Sequence, residues 1–144
     1  MNVKDCMTRH VRVIGPDQTL AEAARAMAES DVGALPVANS ERLLGMITDR
    51  DIAIRGIGAG KGPDAKISEA MSGQVMYCYE DDDIDNVLQN MGDIQVRRLP
   101  VVNEDKRLVG IVSLSDLADA SEEQAGETLC QIARQGGQHT QTLQ

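Results

Sequence analysis

The chain is written twice. Met7 recurs as Met71, Leu20 as Ile84, Met27 as Met91, Pro36 as Pro100 and Asn39 as Asn103, each 64 positions on. Past the asparagines the spacing becomes 65, so that Gly45 answers to Gly110, Thr48 to Ser113 and Asp51 to Asp116. One added residue in a polar turn is where a hairpin tolerates an insertion. A unit of about 60 residues buries only about 60% of its unfolded surface and is marginal alone. The repeat therefore predicts two units that press their sheets together about a pseudo-two-fold axis, with two equivalent clefts between them.

Each copy reads β-α-β-β-α, an α/β (α+β) pattern. A short leading segment ends in Met-Thr or Met-Ser, over 3–8 and 67–72, and a short strand is expected next, over 11–14 and 75–79. Thr19 with Glu22 three residues on is a capping box, and Leu20, Ala23, Ala24, Met27 and Ala28 form a helical apolar stripe. Asp83 caps the second copy's helix, whose stripe is Ile84, Val87, Leu88 and Met91. A hairpin follows in each copy, over 34–47 and 99–112, its first strand carrying Pro36 or Pro100. A proline withholds one N–H from the ladder. The closing helix starts at Thr48-x-x-Asp51 or Ser113-x-x-Asp116. Beyond the repeats, residues 122–134 predict a further helix stopped by Gly136 and Gly137, with a frayed tail over 138–144. The expected division is a first repeat over 1–60, a linker over 61–66, a second repeat over 67–120, and a C-terminal helix and tail over 121–144.

Composition narrows the function. A net charge of −9 argues against a nucleic-acid backbone as partner. No apolar run reaches membrane-spanning length, and the first residues lack a signal-peptide core, so a soluble cytoplasmic protein is expected. Three cysteines, Cys6, Cys78 and Cys130, are widely spaced and lack C-x-x-C spacing, which argues against a disulfide scaffold or a zinc site. They read as small buried or half-buried thiols, with a redox role as the alternative. The glycine-rich stretch over 56–63 fits neither phosphate-loop spacing and follows a helix, so it reads as a helix stop and flexible linker. The acidic run over 80–85 lacks the glycine of a calcium loop and reads as charge at a helix N-terminus.

The two strand-to-helix corners are the candidate site. Taken alone, Thr48 with Asp51 and Ser113 with Asp116 are capping boxes, and Asp51 can pair with Arg55 one turn on. The same geometry suits an adenosine phosphate. Free N–H groups and a hydroxyl can meet phosphate, and the carboxylate can accept from two neighbouring ribose hydroxyls. An apolar floor for the purine is expected from Ile14, Ala34 and Leu35 with Pro36 in one copy, and Val75 and Leu99 with Pro100 in the other. Arg97 and Arg98 can grip phosphate in a bidentate way, and Arg50 can offset the unfavourable charge of Asp49. No nucleophile–base pair or metal cage is visible, so neither catalytic residues nor metal ligands are assigned.

The doubled unit resembles a tandem cystathionine-β-synthase (CBS) domain pair, a Bateman module, of the short stand-alone bacterial type. The residues that carry the resemblance are Ser30 to Val37, Leu44 to Ile52, Val96 to Val101 and Leu108 to Leu117. The resemblance implies an adenosine ligand (AMP, ADP, ATP or S-adenosylmethionine) with the ribose on Asp51 or Asp116 and phosphate on Thr48 or Ser113. It implies a phosphate role for Arg98, whose counterpart in copy one is Ala34, so the two clefts should differ. No cofactor is required. The expected function is a non-catalytic sensor that binds an adenosine nucleotide between the repeats and signals by conformational change to a separate, unidentified protein. The alternative is a nucleotide-free structural or stress-response protein acting as a dimer. A homodimer is expected on either reading, since the apolar helical stripes are generous for a chain this small.

Overall fold

In a computed structural model, which describes residues 1–134, the chain forms two compact units that cut across the sequence repeats. One unit joins Met1–His10 to Tyr77–Asp105 and the described residues from Val109 onward, and the other comprises Val11–Met76 with Lys106–Leu108. Each repeat's leading segment is thus built into the unit of the other repeat. The units are named below for the repeat that supplies their helices and hairpin.

The first-repeat unit contains α1 (Leu20–Ser30), the hairpin β1 (Ala34–Asn39) and β2 (Arg42–Thr48), and α2 (Asp49–Asp51). Thr19 caps α1 by accepting the Glu22 N–H at 3.1 Å. The helix ends where Asp31 turns left-handed, at φ 52°. Hairpin register sets Ala34 opposite Thr48 and Pro36 opposite Met46, with a bulge between Val37 and Ala38. Helical backbone continues past α2 as a π-helical stretch, Ile52–Gly56, and a 3-10 turn, Ile57–Ala59. The core joins Leu20, Ala23 and Met27 of α1 to Leu35, Val37 and Ile47 of the hairpin and to Ile67 and Ala70.

The helix stop expected within 56–63 forms, at Gly60 rather than at the first glycine of the stretch. Gly56 does not stop the helix: it is buried, and a Cβ on it would lie 2.7 Å from Leu20 Cδ1, so the helical run needs a glycine there to rest on α1. The stop is Gly60, at φ 83°, a conformation that glycine adopts without steric cost. The stretch expected as a flexible linker is also tied down. Leu20 and Ala21 donate their N–H groups to the Ala65 and Pro63 carbonyls at 2.9 and 3.0 Å, which satisfies orphan donors at the start of α1.

The second-repeat unit contains β3 (Cys78–Tyr79), α3 (Ile84–Ile94), β4 (Arg98–Val102), β5 (Leu108–Ser113), α4 (Leu114–Ala118) and α5 (Glu122–Ala133). Its strands form one sheet in the order β3-β4-β5, with β3 parallel to β4. The first strand of each copy is shorter than expected. Only Cys78 and Tyr79 form β3, and in copy one only Ile14 makes a bridge, parallel to Val37. Arg12, Val13, Gly73, Gln74 and Val75 are exposed, so the chain before each bridge gains little from pairing.

The leading segments are 3-10 turns, Val3–Asp5 and Ile67–Glu69, and they dock identically. Val3 donates to the Asp82 carbonyl at 3.0 Å, and Ile67 to that of Gln18 at 2.8 Å. Both side chains are fully buried. The repeat offset separates both the donors and the acceptors, so duplication is visible in single hydrogen bonds.

The added C-terminal helix α5 covers α3. Thr128, fully buried, donates its hydroxyl to the Leu88 carbonyl at 2.8 Å, and Gln95 donates its amide to the Gln131 carbonyl at 2.9 Å. Gly92 leaves room for the Gln131 side chain, which a Cβ would strike. The predicted glycine stop and tail lie outside the described residues.

Candidate functional site

Both corners form as capping boxes. Thr48 donates its N–H to Asp51 Oδ2 at 3.0 Å, and Asp51 returns its own N–H to Thr48 Oγ1 at 3.0 Å. Ser113 donates to Asp116 Oδ2 at 2.9 Å, and Asp116 to Ser113 Oγ at 3.2 Å. The corners are pinned to the preceding strand in the same way. Asp49 donates its N–H to the Gly33 carbonyl at 2.9 Å, and Leu114 donates to that of Arg97 at 2.8 Å.

The cap uses only part of each acid. Its hydrogen bond occupies Oδ2, so Oδ1 remains as an acceptor. Asp51 Oδ1 lies 4.0 Å from Arg55 Nε, at the limit of an ion pair, and the Asp51 side chain is 17% exposed. Asp116 has no such arginine: Ala120 stands one turn on. Each hydroxyl accepts from the helix and can still donate. Ser113 Oγ also lies 2.9 Å from Ser115 Oγ, a partner that Thr48 lacks.

Around the first corner the structure assembles Thr48, Arg50 and Asp51, with Ala34 directly across the hairpin. Ile14 lies beside β1 through its backbone: its N–H donates to the Pro36 carbonyl at 3.1 Å, and its carbonyl accepts from Ala38 at 3.0 Å. The Ile14 and Leu35 side chains turn into the core, at 4% and 2% exposure, and Pro36 is buried. At the second corner Leu99 and Pro100 are likewise buried, whereas Arg97 and Arg98 are exposed. Neither arginine has an ion-pair partner among the described residues.

Val75 is 39% exposed and falls in the first-repeat unit. The second-copy counterpart of Ile14 is Cys78, which pairs in parallel with Val101 just as Ile14 does with Val37. The repeat offset names this residue, since Ile14 advanced by it lands on Cys78. Burial pushes the Cys78 thiol up to about 12, with the Asp82 carboxylate adding to the effect. Cys6 is also raised, by burial and then by the carboxylates of Asp5 and Asp116.

A further feature of the described surface is a groove of about 420 Å³ floored by Ala24, Met27, Ala28, Val32 and Ile52 and rimmed by Asp31 and Asp49. It lies on the α1 face and includes neither Thr48 nor Asp51. Its residues correspond in the repeat to Leu88, Met91, Gly92, Val96 and Leu117, with Gln95 and Leu114 at the rim. Leu88, Gly92 and Gln95 are those that meet α5. The face that α5 covers in one repeat is therefore open in the other. Among the described residues no three His, Cys, Asp or Glu side chains are grouped to hold a metal ion. No helix among them is long and apolar enough to cross a membrane.

The chain belongs to the CBS domain family, whose domain matches residues 3–56 and again 67–123. It is similar to the CBS domain-containing protein YhcV of Bacillus subtilis, with 42% identity over 136 residues, 93% of this chain and 96% of that one. Hypoxic response protein 1 of Mycobacterium tuberculosis is 43% identical over 117 residues, 80% of this chain and 81% of that protein. The crystal structure of that protein with two coordinated zinc ions matches with a TM-score of 0.77 and 41% identity, over 83% of this chain and 98% of that one. The CBS domain pair of protein MJ0100, in complex with 5′-methylthioadenosine and S-adenosyl-L-methionine, matches with a TM-score of 0.73 and 27% identity, over 86% of this chain and 98% of that one.

Proposed function

We propose that this protein is a non-catalytic cytoplasmic regulatory module that binds adenosine ligands at its two hydroxyl–acid corners and passes the bound state to a separate protein by a change of conformation. The observation that carries this reading is the half-used carboxylate of each corner. A cap needs one oxygen. Asp51 and Asp116 hold a second on a fixed backbone, placed to accept from the two hydroxyls of a ribose. Thr48 keeps a hydroxyl hydrogen to donate to the group on the 5′ carbon, and Ser113 has one to give when Ser115 is the donor in the bond they share. The similarity to a CBS pair solved with two adenosine compounds supports the ligand class.

A ligand shifts a conformational equilibrium only by its difference in affinity for the two states. Ribose and phosphate contacts on paired corners supply such a difference. A homodimer fits the same reading: the open groove on α1 and the exposed Ile54 and Ile57, at 56% and 59%, offer apolar surface to a second copy.

The test is a thermal-shift panel of AMP, ATP, S-adenosylmethionine and 5′-methylthioadenosine. A ligand at 100 times its Kd stabilises the fold by about 2.7 kcal/mol. A flat response to the whole panel would instead favour a nucleotide-free interaction protein.

A further inference from the structure

The duplication shows what fills a face like the groove on α1. In the second repeat α5 lies there, with the Thr128 hydroxyl on the Leu88 carbonyl and the Gln131 carbonyl accepting from the Gln95 amide. In the first repeat those places on the helix belong to Ala24 and Asp31, and Ala28 stands for Gly92. The face is apolar, built of small side chains, and open. One exchange decides what can lie on it. Gln95 and Asp31 are each the left-handed residue that ends its helix, at φ 58° and 52°. Gln95 gives a hydrogen to a helix carbonyl, whereas an ionised Asp31 has none to give and only accepts. Asp49, where the second repeat has Leu114, adds another carboxylate to the rim. Both acids are exposed, and neither has an ion-pair partner among the described residues. A helix seated here must bring donors and positive charge.

We propose that the α1 groove is the seat for a basic amphipathic helix of a separate protein, the one to which this module passes its bound state; the proposal rests on that part of the reading above. The occupant lays a small-residue apolar face on Ala24 and Ala28 and sets lysines or arginines against Asp31 and Asp49. A second copy matches the rim less well. The chain carries −9, and its own α5 exposes Glu122, Glu123 and Glu127. Ile54 and Ile57, which do not line the groove, are left for a second copy. The groove is also tied to the first corner through the backbone. Asp49 follows Thr48, and its N–H donates to the carbonyl of Gly33, another residue of the groove, at 2.9 Å. Any shift of the turn from Thr48 to Asp51 on ligand binding therefore carries a rim carboxylate with it.

The probe is a synthetic peptide copying residues 121–134, held helical by a hydrocarbon staple between positions 126 and 130, both exposed in α5. One form keeps the three exposed glutamates; the other carries Glu122→Lys, Glu123→Lys and Glu127→Lys. Each is titrated by fluorescence anisotropy into the full chain as wild type, Asp31→Asn/Asp49→Asn and Ala28→Gln. Asparagine tolerates the left-handed conformation of residue 31 and keeps an oxygen for the Arg50 N–H that Asp49 accepts, so the fold is undisturbed. The lysine form is expected to bind the wild type about tenfold or more tightly than the glutamate form, a gap that narrows with added salt. The aspartate variant weakens the lysine form about fivefold. Ala28→Gln, an uncharged change at an exposed position, weakens it about tenfold or more by filling the floor. No binding of the lysine form, equal binding of both forms, or binding that survives Ala28→Gln would overturn the proposal. So would a wild-type dimer, seen by sedimentation, that Ala28→Gln makes monomeric, since the groove would then belong to a second copy. The adenosine reading is tested apart, by the thermal-shift panel: a flat panel with intact peptide binding removes the ligand and leaves the seat.

Discussion

Thr48 and Asp51 each donate a backbone N–H to the other's side chain, at 3.0 Å in both directions. Stability and ligand binding can therefore be separated by the choice of substitution. Thr48→Ala removes the acceptor for the Asp51 N–H and costs about 1 kcal/mol, a melting decrease of roughly 3–5 °C. Asp51→Asn keeps an acceptor for the Thr48 N–H and costs only a few tenths of a kcal/mol, roughly the loss of one charge at a helix start. It replaces the carboxylate proposed to take the ribose. Thermal melts with titrations on both variants should show one that is less stable and one that is stable but impaired in binding.

Gly45 and Gly110 are equivalent in sequence and unequal in tolerance. A Cβ on Gly45 meets Met71 Cε at 2.8 Å, the free end of a flexible side chain, and the Ser72 carbonyl at 3.3 Å. On Gly110 it meets the Thr8 carbonyl at 2.7 Å and Met7 Sδ at 2.8 Å. Thr8 is held in place, since it donates its N–H to the Ile111 carbonyl and accepts that of Ile111, at 2.9 and 3.0 Å. Gly110→Ala is expected to cost about 2–3 kcal/mol and Gly45→Ala about 1 kcal/mol or less. Urea denaturation of the two variants measures the difference.

The Cys78 thiol predicts a loss of stability at alkaline pH. Its folded value is raised to about 12 from an ordinary 9.0. Below pH 9 the thiol is protonated in both states and nothing is lost. Above it the unfolded chain releases a proton that the folded chain keeps, so stability falls by up to about 1.4 kcal/mol per pH unit. Cys78→Val should flatten that slope. Alkylation at pH 8 should mark the exposed Cys130 first and Cys78 last, since only about 10⁻⁴ of a thiol titrating near 12 is thiolate there. Peptide mass spectrometry after timed labelling gives the order.

Helix α5 should be separable from the repeat it covers. Thr128→Val removes the hydroxyl that meets the Leu88 carbonyl inside a fully buried contact, at about 1 kcal/mol. Gly92→Ala sets a methyl against the Gln131 amide, the far end of a flexible side chain that can swing aside, and should act more weakly. Amide exchange in α5 should quicken in both variants while that in β4 and β5 changes little.

The duplication was legible because it is written residue for residue, and the helix starts because caps are local chemistry. Thr19, Asp83, Thr48 and Ser113 each accept from a helix N–H, as their neighbours in sequence suggest. What sequence missed is non-local. Nothing around Val3 says whether it docks beside Asp82 or beside Gln18. Gly56 has the local signature of a helix stop, and only Leu20, distant in sequence, explains a buried glycine there. Ile14 and Leu35 are apolar in extended chain, which does not distinguish a ligand floor from the core they enter. Cys78 was obscured by its residue type, since a thiol does not look like an isoleucine's counterpart until register is known.

The measurement that bears most directly on the corners is an isothermal titration of AMP, and of 2′-deoxy-AMP, into the wild type and into Asp51→Asn/Asp116→Asn. The account predicts that the wild type binds AMP, that deleting the 2′ hydroxyl weakens it about tenfold or more, and that the double variant, folded by its melting curve, no longer tells the two apart. Equal affinity of the wild type for both compounds, or full AMP binding by the double variant, would contradict it.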